Sequence, residues 1–123
     1  MAQDSTRRRD FLKLAGCAAL GIGGANDRVN LAFIGVGRMG ARNIGYAAKV
    51  PGFEIVALCD VHPPALERFA GVRARTNYRE ILADPSIDAV CISTPDPWHA
   101  HMTVEACKAG KDVYVETPAL VHL

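Results

Sequence analysis

The sequence contains no apolar run long enough to cross a bilayer as a helix. Its longest uncharged apolar stretch, Leu14 to Ala25, has 12 residues, against the ~20 that a spanning helix needs. Charge of one sign is also missing: 14 Lys and Arg against 13 Asp and Glu leave a formal net charge of +1. Such a balance supplies no broad field to track a phosphate backbone, so nucleic acid is not an expected partner. Cysteine is scarce. The four present, Cys17, Cys59, Cys91 and Cys107, form no C-x-x-C pair and no metal-ligand spacing, which argues against a zinc or disulfide scaffold. Cys59 and Cys91 fall in apolar segments and read as small core hydrophobes. His99 and His101 lie near Asp96, but residues two apart do not share a helix face, so no metal is expected there. There is no internal repeat and no second linker.

What the chain does have is glycine in a telling place. An apolar segment, Val29 to Ile34, runs directly into Gly35-x-Gly37-x-x-Gly40. Gly35 permits a tight turn out of a strand, Gly37 lets backbone approach a pyrophosphate, and Gly40 lets the next helix pack close to the sheet. The helix N-terminus then favours an anion, through unpaired N–H groups and the positive end of its dipole. The loop residues Gly35, Val36, Gly37, Arg38, Met39 and Gly40 are therefore the expected seat of a dinucleotide, with Arg38 either against adenine or phosphate or simply solvated. A second apolar segment, Phe53 to Cys59, ends in Asp60, twenty residues after Gly40. A carboxylate there accepts hydrogen bonds from an adenosine 2′-hydroxyl and repels a 2′-phosphate, which points to NAD over NADP.

The remaining pattern alternates. Helices are expected from about Arg38 to Lys49 and from Pro63 to Ala70, followed by a short extended piece, Val72 to Arg75. Thr76 or Asn77 can cap a helix presenting Tyr78, Ile81 and Leu82 and ended by Asp84-Pro85. Strand Ala89 to Ser93 follows. Asp96 as N-cap and Pro97 at the first position then open a helix with Trp98, Met102 and Ala106 on one packed stripe, stopping at Gly110 before strand Asp112 to Val115. Strands that are apolar throughout, separated by helices, predict an α/β fold. It is a Rossmann-like parallel sheet of five strands in the order 3-2-1-4-5, with helices on both faces. Ligands bind at the carboxyl ends of such strands, where Gly35 to Gly40, Asp60, Thr94 to His99 and Glu116 to Pro118 all fall.

The first 28 residues have a different character. Arg8 and Arg9, followed by Phe11-Leu12-Lys13 and a glycine-rich apolar run, resemble a twin-arginine export signal. Small residues at Gly23-Gly24-Ala25 suit a signal peptidase, so cleavage is expected near Ala25. Residues 1–28 are thus assigned as signal and linker, and residues 29–123 as the nucleotide-binding domain. The expected location is the periplasm and the expected partner the twin-arginine machinery. Leu14-Ala15-Gly16-Cys17 spells a lipobox, but only three residues separate Lys13 from Cys17, too short an apolar region for a lipoprotein.

Together these residues resemble the N-terminal nucleotide-binding domain of the Gfo/Idh/MocA (glucose-fructose oxidoreductase / inositol dehydrogenase) family, from Val29 to about Pro118. Beyond the glycine loop, the likeness rests on several motifs in order. These are Ala57-Leu58-Cys59-Asp60, Thr94-Pro95 with His99 four residues after the proline, Ala106, Ala109-Gly110-Lys111, and Val115-Glu116-x-Pro118. The resemblance implies NAD as cofactor and a sugar or polyol substrate oxidised by hydride transfer. It places Thr94, Pro95, Glu116 and Pro118 near the nicotinamide half, with His99 ordering the adjacent loop. Two departures matter. Thr117 stands where the family has lysine, and its short hydroxyl is a poor general acid or base near neutral pH, so no catalytic residue is assigned. The sequence also ends at Leu123, before the second domain that forms the family's substrate pocket. A chain inactive alone and prone to self-association is therefore expected. Two alternatives stay open: a catalytically silent NAD-binding module, and a fragment of an NAD-dependent glycosidase of the same family.

Overall fold

The computed structural model describes residues 28–119. The leader assigned to residues 1–28 falls almost entirely outside them. Strand β1 (Val29–Ile34) leads through the glycine loop into helix α1 (Arg38–Ala47), then β2 (Phe53–Cys59), α2 (Pro63–Leu66) and β3 (Arg73–Arg75). Helix α3 (Tyr78–Ala83) precedes β4 (Ala89–Ile92). A 3-10 turn (Asp96–Trp98) then runs into α4 (His99–Lys108), and β5 (Asp112–Val115) completes the sheet. All neighbours are parallel, in the order β3-β2-β1-β4-β5, as expected from apolar strands joined by helices.

Alternation along the strands builds two cores. One face carries Ala32, Ile34, Ala57, Cys59, Val90 and Ile92 against Ile81 and Leu82 of α3 and Met102 and Ala106 of α4. The other carries Leu31, Phe33, Leu58, Ala89 and Cys91 against Ile44 of α1 and Leu66 of α2. On that second face, a cleft of about 290 Å³ remains over β1 and β4, lined by Leu31, Phe33, Tyr46, Ala89, Cys91 and Tyr114 among others. Lys111 enters the interior at 6% exposure. Its Nζ donates to the carbonyls of Asp84 (2.6 Å) and Ile87 (2.7 Å), tying the α3–β4 connection to the start of β5.

Two local expectations need correction, and one choice left open is decided. The second helix starts at Pro63 as expected but stops at Leu66 rather than Ala70, and Gly71, at φ +88°, turns the chain soon after. Asn77, not Thr76, caps α3, its Oδ1 accepting from the Arg79 N–H at 3.0 Å. Asp96 is no cap for α4 either. It sits inside the 3-10 turn, and α4 opens at His99 without a side-chain cap. A 3-10 turn advances three residues per turn, so it changes the phase at which side chains meet the sheet. The inward stripe therefore starts at His99, which is 1% exposed, while Trp98 is 51% exposed and meets His101 edge-on, with ring centroids 6.5 Å apart.

Candidate functional site

The carboxyl ends of β1, β2, β4 and β5 deliver four short segments to one edge of the sheet: the glycine loop, Asp60, Ser93 to Pro95, and Glu116 to Pro118. Gly35 leaves β1 at φ +88°, and its N–H donates to the Cys59 carbonyl at 2.8 Å. A Cβ on Gly35 would lie 2.7 Å from the Ser93 carbonyl carbon and oxygen; one on Gly40 would lie 2.0 Å from the Gly35 oxygen. Both positions are filled by backbone. Gly37 is the opposite case, with nothing within 4 Å of a Cβ built there. It is the N-cap residue of α1 and provides no side-chain cap, so the first-turn N–H groups carry only backbone at their head. Arg38 and Met39 are exposed beside this opening, and Val36 is buried beneath it.

Val36 is held at both of its polar backbone atoms. Its N–H donates to Asp60 Oδ2 at 2.9 Å, and its carbonyl accepts from Arg68 Nη2 at 3.0 Å. Asp60 Oδ1 accepts from the His62 N–H at 2.9 Å. The carboxylate at the end of β2 thus braces the loop that follows β1. Each oxygen still has a second lone pair for an outside donor.

On the other side of the switch in strand order, His99 links two turns. Its Nε2 lies 2.6 Å from the Thr94 carbonyl oxygen, and its Nδ1 lies 2.8 Å from that of Pro118. The Thr94-Pro95 turn and the Glu116-Thr117-Pro118 turn, which contains a cis peptide bond before Pro118, are therefore pinned to one buried ring. His99 faces carbonyls on both ring nitrogens and is committed to the backbone. Thr117 is exposed at the rim. Burial pushes the Cys59 thiol up to about 12 and the Cys91 thiol up to about 11, so both behave as inert core groups. Among the described residues, no group of three or more His, Cys, Asp or Glu is arranged to hold a metal ion, and no helix is long and apolar enough to cross a membrane.

Three contributors escaped the sequence reading: Arg68, Ser93 and Asn43. Asn43 carried a usable signal, since it lies three residues after Gly40 and so on the same side of α1, the side that abuts β4.

The family model for the NAD-binding Rossmann fold of the Gfo/Idh/MocA oxidoreductase family matches residues 29–123. The chain belongs to this family. Among its relatives is a glycosyl hydrolase family 109 protein of Shewanella baltica, 32% identical over an alignment of 152 positions that covers 90% of this chain and 33% of the relative. A myo-inositol 2-dehydrogenase from Lactobacillus plantarum superposes with a TM-score of 0.72 at 34% identity, covering 77% of this chain and 30% of that one. A scyllo-inositol dehydrogenase from Lactobacillus casei, solved with NAD(H) and scyllo-inositol, gives a TM-score of 0.72 at 26% identity, over 77% of this chain and 29% of that one. Structures similar to this family member include complexes with NAD(H) and with NADP. The chain spans about a third of the length of the relatives it matches.

Proposed function

We propose that this Gfo/Idh/MocA chain is the NAD-binding half of an exported oxidoreductase that acts on sugar or polyol CH–OH groups, and that it performs no turnover alone. The observation that carries the reading is the open ground over Gly37, set between an uncapped helix N-terminus and the Asp60 carboxylate. A pyrophosphate fits where a Cβ would meet nothing, and an adenosine ribose fits the lone pairs that Asp60 leaves free. The Gly35 to Gly40 loop would hold the phosphates, with Arg38 and Met39 at its rim. Asp60 would hold the ribose and disfavour a 2′-phosphate. The Thr94-Pro95 and Glu116-Thr117-Pro118 turns, fixed by His99, would flank the nicotinamide half. When bound, NAD supplies a hydride acceptor at nicotinamide C4. These residues orient it; none of them holds a proton for the substrate.

Titration calorimetry on the chain is expected to show NAD binding, and its absence would defeat the reading. NADH formation across a panel of sugars and polyols is expected to be nil for the native chain and for Thr117→Lys alike. A lysine adds a charged donor but no wall to hold substrate, and orientation supplies about 7 to 11 kcal/mol of a barrier. Sustained turnover by either protein would show that the site is complete in these residues.

A second reading, a fragment of an NAD-dependent glycosidase, draws support from the family 109 relatives. Glycoside cleavage by a longer form, without net NADH release, would favour it.

Export is proposed on the leader sequence alone. Replacing Arg8 and Arg9 together with lysine is expected to keep a fused reporter out of the periplasm, since the machinery reads the pair and not the charge. Undiminished periplasmic reporter would remove the assignment.

A further inference from the structure

Helix α1 reaches across the sheet edge through one side chain. Asn43 Nδ2 lies 2.6 Å from Glu116 Oε1 and 3.1 Å from Ser93 Oγ, with the Cys91 sulfur at 3.9 Å. A carboxylate oxygen only accepts, so the amide nitrogen, not its oxygen, must face Glu116. The amide thereby joins three elements: the helix whose N-terminus borders the glycine loop, the end of β4, and the end of β5. Glu116 is held from its backbone as well, its N–H donating to the Ile92 carbonyl at 3.1 Å. Strand order decides what lies there. With Asp60 at the end of β2 and the glycine loop at the end of β1, a dinucleotide laid across the switch point puts its second half over β4 and β5.

We propose that Asn43 is a positioning residue, which holds the Glu116 carboxylate so that the Glu116-Thr117-Pro118 turn is set for the nicotinamide half of the cofactor. This rests on the NAD-binding reading above. Anything that shifts α1 against the sheet is then transmitted to the far half-site through one amide, 73 residues away in sequence from the carboxylate it holds.

Asn43→Asp keeps the shape and replaces the donor with a second carboxylate facing Glu116. The 123-residue chain is titrated with NAD and with ADP-ribose, which lacks nicotinamide, and hydrogen exchange of the Glu116 amide is followed without ligand. NAD affinity should fall about tenfold, the scale of a lost hydrogen bond to a charged group, while ADP-ribose affinity holds and the Glu116 amide exchanges faster. Adding Glu116→Gln to Asn43→Asp re-forms the pair with donor and acceptor exchanged, and should restore slow exchange. Equal losses for NAD and ADP-ribose would reduce Asn43 to a support for the helix and overturn the proposal. Unchanged Glu116 exchange in Asn43→Asp, or no recovery in the double variant, would overturn it too. A native chain that fails to bind NAD would sink the cofactor reading, and the exchange comparison would still decide the clamp.

Discussion

Gly37→Ala is expected to leave the fold intact and remove most of the cofactor affinity, while Gly40→Ala, the same methyl three residues on, is expected to unfold the domain. At Gly37 the backbone has φ −68°, which any residue adopts, and a Cβ meets nothing within 4 Å. The melting curve should therefore match the native chain within the ~0.5 kcal/mol typical of harmless surface changes. The methyl would occupy the space in which a pyrophosphate approaches the N–H groups of α1. Overpacking of about 1 to 3 kcal/mol corresponds to a loss in affinity of roughly fivefold to over a hundredfold. At Gly40 the Cβ would lie 2.0 Å from the Gly35 oxygen and 2.8 Å from its carbon. Both atoms are backbone, so no rotamer change relieves the clash, and α1 must lift from the turn after β1. A cost above ~3 kcal/mol is a large share of the 5 to 15 kcal/mol that holds a typical domain together. Thermal melts and NAD titration on the two variants test both halves. Native affinity in Gly37→Ala would move the cofactor off the loop; native stability in Gly40→Ala would contradict the packing of α1 on the turn.

Asp60 is expected to separate along a second axis, charge against hydrogen bonding. The native chain should bind NAD well ahead of NADP, because a 2′-phosphate would meet a carboxylate at the end of β2. Asp60→Asn keeps an oxygen that can accept from the Val36 N–H and drops the charge. It should hold most of the stability and narrow the preference for NAD by about tenfold. Asp60→Ala also takes the acceptor away from the amide of Val36, whose residue is fully buried. A further loss of about 1 to 3 kcal/mol in chemical denaturation follows from leaving that donor without a partner. NADP binding as tight as NAD in the native chain would refute the ribose assignment. Equal stability of the Asn and Ala variants would refute the bracing of the loop.

The sheet was readable from the chain because β1, β2 and β4 are mainly apolar runs separated by helical segments, so their order followed from pattern and connection rules, while the exposed Arg73-Ala74-Arg75 of β3 was legible only as a short extended piece. The glycine loop and Asp60 were readable because their spacing is set by one strand–turn–helix–strand unit. The helix phase at Trp98 was not. A single 3-10 turn rotates the stripe, and nothing in Asp96-Pro97-Trp98 distinguishes that turn from the first turn of an α-helix. Pairs such as Asn43 with Glu116 and Arg68 with Val36 were out of reach for another reason. They depend on how far a helix end overhangs a strand end, a matter of tilt and sheet twist that hydrophobic periodicity does not encode. The place of Asp60 at the end of β2 was visible in the spacing, while its bond to Val36 needs two strand ends in register.

The position of β1 at the centre of the sheet also governs the order of assembly during synthesis. β1, the first of the described strands to leave the ribosome, needs neighbours on both sides, and the one on the β4 side arrives late, with Asn30 bonded to Asp88 across 58 residues. Until then, the apolar edge of β1 that will receive β4 is bare in the nascent chain, because a parallel neighbour cannot be supplied by a hairpin. The β1-β2-β3 half, with α1 and α2, can gather first, whereas the turns that carry Pro95 and Pro118 can close on His99 only after β5 has been made. A pause in translation between Cys59 and Ala89 would therefore lengthen the lifetime of an unpaired central edge, the state in which chains of this topology are most exposed to aggregation.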